Sequence, residues 1–193
     1  MASHFTKRIV TDGTDRVAWF RARSRGVTAT DVSKLSTPRS IETVANSKLY
    51  GSGFNGNVYT DHGREREPAI ASWVKTEFDI DASQALFHAP FDTRHLATPD
   101  GITERVNGSL ELAEIKTTNK TFRSIPRHYL RQMWWQQYVL GAERTLFVWE
   151  QHENFVPVGD PQYRWIDRDD EEIQKLLKLV DQLIDKLIEK TSR

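Results

Sequence analysis

The 193-residue chain is long enough to bury the core of one ordinary domain without disulfides or a structural metal. It carries 27 basic and 27 acidic side chains, and this zero net charge excludes a global field that would attract nucleic acid. It has no cysteine, which excludes a disulfide framework, a thiolate zinc site and a cysteine-ligated iron–sulfur cluster. Any binding of nucleic acid must therefore use local basic patches.

The first residues contain no apolar signal segment, and no later run of residues approaches the length of a membrane span. We therefore expect one compact, soluble, cytoplasmic domain over residues 1–193, with no membrane partner. Residues 1–15 are polar and lack periodicity, which predicts an irregular N-terminal arm.

A helix followed by a hydroxyl-rich turn is predicted next. Asp15 is a suitable N-cap for the helix, whose far end carries Arg23 and Arg25. Thr28 and Thr30 lie in the turn that precedes a second short helix. Backbone donors and hydroxyls beside arginines can hold a phosphate. The alternative is a solvated helix end at which one of the two threonines is a simple N-cap.

A proline interrupts the following helical pattern. Three glycines between residues 50 and 57 predict a loop, and apolar residues then recur at helical spacing up to Phe78. Pro68 either opens a new helical turn or kinks a helix that began near Asn57. In both cases Glu67 lies at a deformed point and could face an acidic centre, although it could also be an ordinary helix-start glutamate.

From about residue 85 the apolar period shifts toward two, which is typical of strands. Segments 86–91 and 94–98 predict a hairpin whose second strand ends near Asp100. A further alternating strand over 110–116 is predicted after Gly108. These strands would surround the acidic residues.

The strand over 110–116 places Glu114 and Lys116 on one face and Glu111 on the other. Two carboxylates, those of Asp100 and Glu114, and one ammonium would thus converge. Carboxylate oxygens are ligands that Mg²⁺ prefers, and a neighbouring lysine can orient a water for attack on phosphorus. A Glu-x-Lys pair also occurs on solvated strand faces, so the flanking motifs carry the interpretation.

Pro126 and Gly141 bound a predicted helix with two faces. Tyr129, Gln132 and Gln136 form its polar stripe. Glutamines that point into a site can donate to phosphate or to a metal-bound water, although the stripe could equally be an outer face.

The C-terminal third of the chain predicts more sheet and one long helix. Residues 146–150 form a short apolar run typical of a buried strand, and 154–158 and 163–166 could add edge strands. Residues 167–193 predict an amphipathic helix that begins near Asp167 or Asp169. This helix is most simply a core-packing element, and its length also permits a subunit contact.

In this order the motifs resemble the lambda-exonuclease-like (YqaJ-type viral recombinase) branch of the PD-(D/E)xK nuclease superfamily. Thr30 stands where the family usually has serine, which keeps a hydroxyl. The matching motifs, which span roughly residues 16 to 150, are Trp19-x-x-x-Arg23 with 28–31, Gly63-x-x-x-Glu67-Pro68, Thr98-Pro99-Asp100-Gly101, Glu114-Ile115-Lys116, and Tyr129-x-x-Gln132 with Gln136. The resemblance implies an α/β (α+β) fold with a restriction-endonuclease-like core, in which helices flank a central mixed β-sheet.

The resemblance also implies a function: an Mg²⁺-dependent exonuclease that acts 5′ to 3′ on linear double-stranded DNA ends in phage-type recombination. It implies two ions, for which Mn²⁺ could substitute, held by Asp100, Glu114, the carbonyl of Ile115 and Glu67. Lys116 would position the attacking water. The catalytic set is completed by Gln132, which would support that lysine or the scissile phosphate.

By the same resemblance, Arg23 and Thr30 would form the pocket for a terminal 5′-phosphate. Further candidate DNA contacts are Tyr129, Gln136, Arg25 and Lys120. The implied partners are double-stranded DNA ends and a single-strand annealing protein. The resemblance also implies that the chain forms a ring-shaped homo-oligomer and acts in the cytoplasm of a bacterial host. Two alternatives stay open: a PD-(D/E)xK endonuclease of restriction or repair type, and a non-catalytic DNA-binding protein.

Overall fold

The computed structural model of the chain describes residues 5–51 and 57–192. The helices are α1 Arg16–Ser24, α2 Ala29–Ser33, α3 Pro38–Tyr50, α4 Val58–Phe78, α5 Arg127–Leu140 and α6 Asp170–Thr191. The strands are β1 Ile9–Thr11, β2 Val27–Thr28, β3 Asp81–Ala82, β4 Leu86–His88, β5 His95–Ala97, β6 Gly101–Glu104, β7 Leu110–Thr118, β8 Arg144–Glu153, β9 Val156–Pro157 and β10 Gln162–Asp167. Of the loop predicted between 50 and 57, residues 52–56 lie outside the described residues. No helix in the described ranges is long and apolar enough to cross a membrane.

The strands form two sheets with mixed pairing. The larger sheet has the order β10-β8-β7-β6-β3, in which β7 and β8 run parallel and the other neighbours are antiparallel. The smaller sheet has the order β1-β4-β5-β2 and contains one parallel pair, β2 with β5. The predicted fold class, a mixed sheet flanked by helices, is confirmed.

Helices cover both faces of the central pair β7 and β8. Because the side chains of each strand alternate between the faces, each strand contributes to the packing on both sides. One face packs on α4 through Ile70, Val74, Ala113, Ile115, Leu146 and Val148. The other face packs on α5 through Met133, Phe147 and Trp149, and continues into a larger core shared with α2, α3 and α6. The side chain of Glu114 lies on the α5 side of β7.

Helix α4 is one element that runs through Pro68. Its N-cap is Asn57, whose side chain accepts hydrogen bonds from the backbone N–H groups of Tyr59 and Thr60. Pro68 therefore does not open a new helix, and the alternative of a helix that begins near Asn57 is correct. Since proline has no N–H, the helix loses one backbone hydrogen bond at this point, directly beside Glu67.

Helices α5 and α6 begin and end close to the predicted positions. Pro126 is the N-cap of α5, and Gly141 ends the helix with a φ of +75°, a left-handed conformation that glycine adopts without strain. Helix α6 begins after Asp169, whose carboxylate accepts from the backbone N–H of Glu172.

The prediction of an irregular arm over residues 1–15 is wrong for residues 6–11. Thr6–Arg8 form a 3₁₀ turn, and β1 pairs with β4 of the smaller sheet. Arg8 is only 8% exposed, and its guanidinium donates to the backbone carbonyls of Val139 and Leu140 and, at 3.3 Å, of His88. Those carbonyls at the end of α5 lack partners within the helix, so the arginine from the arm satisfies them.

Candidate active site

A cleft of about 1030 Å³ opens between α1, α4, β7 and α5. Five side chains predicted from four motifs line it: Glu67, Asp100, Glu114, Lys116 and Gln132. The two residues predicted to bind a 5′-phosphate, Arg23 and Thr30, line the same cleft. The structure thus brings the predicted acidic centre and the predicted phosphate pocket into one cavity.

Backbone hydrogen bonds place Asp100 beside β7. The N–H of Asp100 donates to the carbonyl of Ala113 at 3.1 Å, and the N–H of Ile115 donates to Asp100 Oδ2 at 2.7 Å. The carboxylate therefore lies across from the strand segment that carries Glu114 and the Ile115 carbonyl.

The carboxylate of Glu114 accepts hydrogen bonds from three side chains. The side chain is 1% exposed, and Oε1 accepts from Lys116 Nζ and from Gln132 Nε2. Its Oε2 accepts from Gln136 Nε2 at 2.7 Å. These donors fix the orientation of the carboxylate and compensate for its burial.

Negative charge is concentrated in this cleft. Burial, followed by the charges of Glu114 and Glu67, raises the pKa of Asp100 well above its usual range, while Lys116 opposes the rise. Burial also raises the pKa of Glu67, although Lys116 acts in the opposite direction. Burial by itself would lower the pKa of Lys116, but Glu114 and Asp100 outweigh it, so the pKa is raised and the ammonium is retained. Lys116 thus acts on the carboxyl groups of Asp100 and Glu67 and lies at that of Glu114.

The donor chemistry of this set fits a hard divalent cation. Asp100, Glu114 and Glu67 supply carboxylate oxygens, and Ile115 supplies a backbone carbonyl, which are the ligand types that Mg²⁺ prefers. As the side chains stand, the described ranges contain no group of three or more His, Asp or Glu residues arranged to hold a metal ion. Both oxygens of Glu114 accept hydrogen bonds from neighbouring side chains. An ion that used Oε1 would compete with Lys116 and Gln132.

Arg23 is held in place before any ligand arrives. Its Nη2 donates to Thr30 Oγ1 at 3.3 Å, and its guanidinium lies 4.3 Å from the centroid of the Trp19 ring. Burial lowers the pKa of Arg23, and the carboxylate of Asp31 partly offsets that effect. Thr28, with Asp31 as its capping-box partner, is the N-cap of α2, so Thr30 is not needed for that role.

The sequence reasoning missed three basic residues of the cleft. Arg16 Cζ lies 4.3 Å from the centroid of the Trp19 ring, and Arg64 and Lys75 also line the cleft. Within the described residues, neither Arg16 nor Arg23 forms an ion pair with a carboxylate. Arg16, Trp19 and Arg23 occupy positions i, i+3 and i+7 of α1, and this helical spacing could have revealed the shared face.

The remaining candidate DNA contacts fall in different environments. Tyr129 is half-buried, with its ring 5.6 Å from Lys116 Nζ. Arg25 and Lys120 are exposed and do not belong to the described lining of the cleft. The prediction that Gln136 contacts DNA is wrong, because its side chain is fully buried and donates to Glu114.

Glu111 lies away from the cleft, as the alternation along β7 predicts. Its carboxylate accepts from Arg105 Nε at 2.7 Å and from Arg144 Nε at 2.8 Å. The guanidinium of Arg144 in turn lies 4.0 Å from the ring centroid of Trp165. This partly buried ion-pair cluster joins β7 to β8 and to the turn after β6, on the side opposite Lys116.

A mixed sheet that delivers an aspartate, a glutamate and a lysine to one cleft defines a site of the kind implied by the motif resemblance. Residues 18–143, which are more than half of the chain, match the family model of the YqaJ-like viral recombinase domain. The chain therefore belongs to this family. A comparison with curated protein sequences finds no match.

The fold is also similar to solved exonuclease structures. LHK-Exo in complex with dAMP has 25% sequence identity and a TM-score of 0.71, with 89% of this chain and 92% of that chain covered. A second structure of LHK-Exo, an alkaline exonuclease from Laribacter hongkongensis, has 24% identity, a TM-score of 0.68 and the same coverage. A phage related exonuclease from Haemophilus somnus 129PT has 14% identity and a TM-score of 0.64, with 86% of this chain and 96% of that chain covered.

Proposed function

We propose that this protein is a divalent-metal-dependent exonuclease that degrades linear double-stranded DNA from 5′ ends toward 3′ ends. One observation carries the proposal: Asp100, Glu114 and Lys116 share a cleft with Arg23 and Thr30. The family membership and the likeness to exonucleases support it. LHK-Exo has been crystallised with dAMP, a nucleoside monophosphate of the kind that an exonuclease releases.

The acidic side chains would hold the ions. Asp100, Glu114, the carbonyl of Ile115 and Glu67 are the proposed ligands of two Mg²⁺ ions, with Mn²⁺ as a substitute. Bound ions of this type polarise a phosphoryl oxygen and lower the pKa of a bound water. A bound cation would favour the ionised Asp100 carboxyl, because burial and the neighbouring carboxylates raise its pKa.

Lys116 would orient the attacking water and stabilise negative charge on the phosphate. Its ammonium is retained by the neighbouring carboxylates and already lies at Glu114 Oε1. Gln132 donates to the same oxygen, so its proposed role is to orient Glu114 rather than to bind the scissile phosphate directly.

Arg23 and Thr30 would bind the terminal 5′-phosphate. A guanidinium can grip a phosphate through two parallel N–H donors, and a terminal phosphate monoester carries more charge than an internal phosphodiester. A fixed distance between this pocket and the acidic centre would then select the phosphodiester that is cut. In the wider proposal the enzyme acts in phage-type recombination in a bacterial host, as a ring-shaped homo-oligomer with a single-strand annealing partner.

A digest of end-labelled linear duplex and covalently closed circular duplex, side by side, tests the proposal. With Mg²⁺ or Mn²⁺ we expect mononucleotides from the 5′ ends of the linear substrate and no nicking of the circle. Ca²⁺ should support DNA binding without turnover, because it takes oxygen ligands at longer distances and in looser geometry. Nicking of the circle would instead indicate an endonuclease of restriction or repair type. DNA binding without cleavage under any metal would indicate a non-catalytic protein.

A further inference from the structure

Gln136 is a buried side chain directly behind the proposed metal ligand Glu114. It is 0% exposed and does not belong to the described lining of the cleft, whereas Glu114, Lys116 and Gln132 all line it. Gln136 therefore reaches Glu114 from the protein interior.

Two glutamines of α5 divide the oxygens of Glu114 between them. Gln132 donates to Oε1, which also accepts from Lys116, and Gln136 donates to Oε2 at 2.7 Å. The two glutamines are four residues apart, so they lie one above the other on the same helix face. The donors at Oε1 belong to the cleft, while the donor at Oε2 belongs to the core. Oε1 is thus the oxygen that Glu114 presents to the cavity.

The same amide group also reaches the segment that carries Asp100. Gln136 Nε2 donates to the carbonyl of Thr98 at 3.4 Å, two residues before Asp100. One residue earlier on α5, Trp135 Nε1 donates to the carbonyl of Leu96 at 3.1 Å. Helix α5 therefore contacts the segments that carry Glu114 and Asp100, and Gln136 joins these two segments through one nitrogen.

We propose that Gln136 is a positioning residue for the metal centre. By holding Oε2 of Glu114 and the carbonyl of Thr98, it directs Oε1 into the cleft and fixes the spacing between Glu114 and Asp100. Removing its amide weakens divalent-cation binding because Oε2 then loses its Gln136 donor, and Glu114 is oriented only through Oε1, the oxygen for which a bound ion would compete. This inference rests on the proposed function, since it assigns a metal-binding role to Glu114.

Gln137 is a matched control in the next position of the chain. It is also 0% exposed, and its Nε2 likewise donates to two acceptors, Thr145 Oγ1 and the carbonyl of Ile166, each at 2.9 Å. It differs from Gln136 in that neither partner belongs to the cleft. Replacing either glutamine by methionine keeps the approximate side-chain volume and removes the amide, so both changes should affect folding stability alike.

Calorimetric titration with Mn²⁺ and rates of linear-duplex digestion should separate the two variants. We expect Gln136→Met to weaken Mn²⁺ binding by about 10- to 100-fold, the range typical for loss of a group that orients a metal ligand. We expect Gln137→Met to bind Mn²⁺ as the unmodified protein does, at a similar loss of thermal stability. Equal Mn²⁺ affinities for the two variants would overturn the inference while leaving the proposed function intact. No Mn²⁺ binding and no digestion by the unmodified protein would overturn both.

A measurement on the unmodified protein covers the case in which Gln136→Met does not fold. The side-chain NH₂ resonances of the two glutamines can be followed by NMR during a Mg²⁺ titration. The Gln136 resonances should shift as Glu114 binds the ion, and those of Gln137 should stay in place. Resonances of Gln136 that do not move at saturating Mg²⁺ would overturn the inference.

Discussion

Arg23→Ala should slow the digestion of 5′-phosphorylated duplex and leave a 5′-hydroxyl duplex almost unaffected. The guanidinium is held by the Trp19 ring and by Thr30 before substrate binds, so little conformational entropy is lost when it grips a phosphate. Losing a charge-assisted hydrogen bond costs about 1.5–3 kcal/mol, which corresponds to a rate reduced roughly 10- to 100-fold. A terminal phosphate carries about two negative charges and a hydroxyl carries none, which is why the two ends should respond differently.

The assay compares initial digestion rates on the two ends for the unmodified protein and for Arg23→Ala, under one Mg²⁺ concentration and one ionic strength. Arg21→Ala is the control for loss of charge, because Arg21 is exposed on α1 and lies outside the described lining of the cleft. For each protein, the rate on the 5′-phosphorylated end is divided by the rate on the 5′-hydroxyl end. Dividing this ratio for the unmodified protein by the ratio for the variant gives a double-difference free energy. A value indistinguishable from zero, or an equal value for Arg21→Ala, would refute the assignment of the phosphate pocket.

Three further outcomes are expected. Lys116→Met should reduce cleavage by about 100-fold or more while the far-ultraviolet circular dichroism is unchanged, and a rate close to that of the unmodified protein would contradict its role. Arg8→Ala should lower the free energy of unfolding in urea by about 2–4 kcal/mol, because it removes the donor to two carbonyls at the end of α5. Lys7→Ala, at an exposed position next to it, should have little effect. Burial, and then the neighbouring His62, lower the pKa of His152 in the folded protein. The unfolded chain therefore protonates His152 more readily, and the stability of the fold should decrease as the pH drops below about 6.5. His152→Phe should flatten that pH dependence, and an unchanged slope between pH 7.5 and 5.5 would argue against the assignment.

The elements that sequence predicts well are those with local signals. Pro126 and Gly141 bound α5, and Asp169 caps α6, because caps act through backbone groups within a few residues. The alternation along β7 places Glu111 and Glu114 on opposite faces of the sheet. This too is a local signal, since it depends only on the geometry of a single strand.

The features that sequence does not predict depend on distant partners. Gln136 occupies a polar stripe that would suit a solvated helix face, and its burial follows only from the packing of α5 on the face of β7 that carries Glu114. Arg8 lies in a polar segment without periodicity, while the carbonyls that it binds are 80 to 132 residues away. No pattern within the arm encodes those contacts.

The bonds of Arg8 have a consequence for the order in which the nuclease matures. Gln132 and Gln136 meet Glu114 across 18 and 22 residues, so this part of the site forms from a short stretch of chain. Arg8 closes a loop of 131 residues, and loop closure of that length is slow and entropically costly. During synthesis the arm leaves the ribosome early and must wait for α5. We therefore expect α5 to gain this support late in folding, after Gln132 and Gln136 have met Glu114.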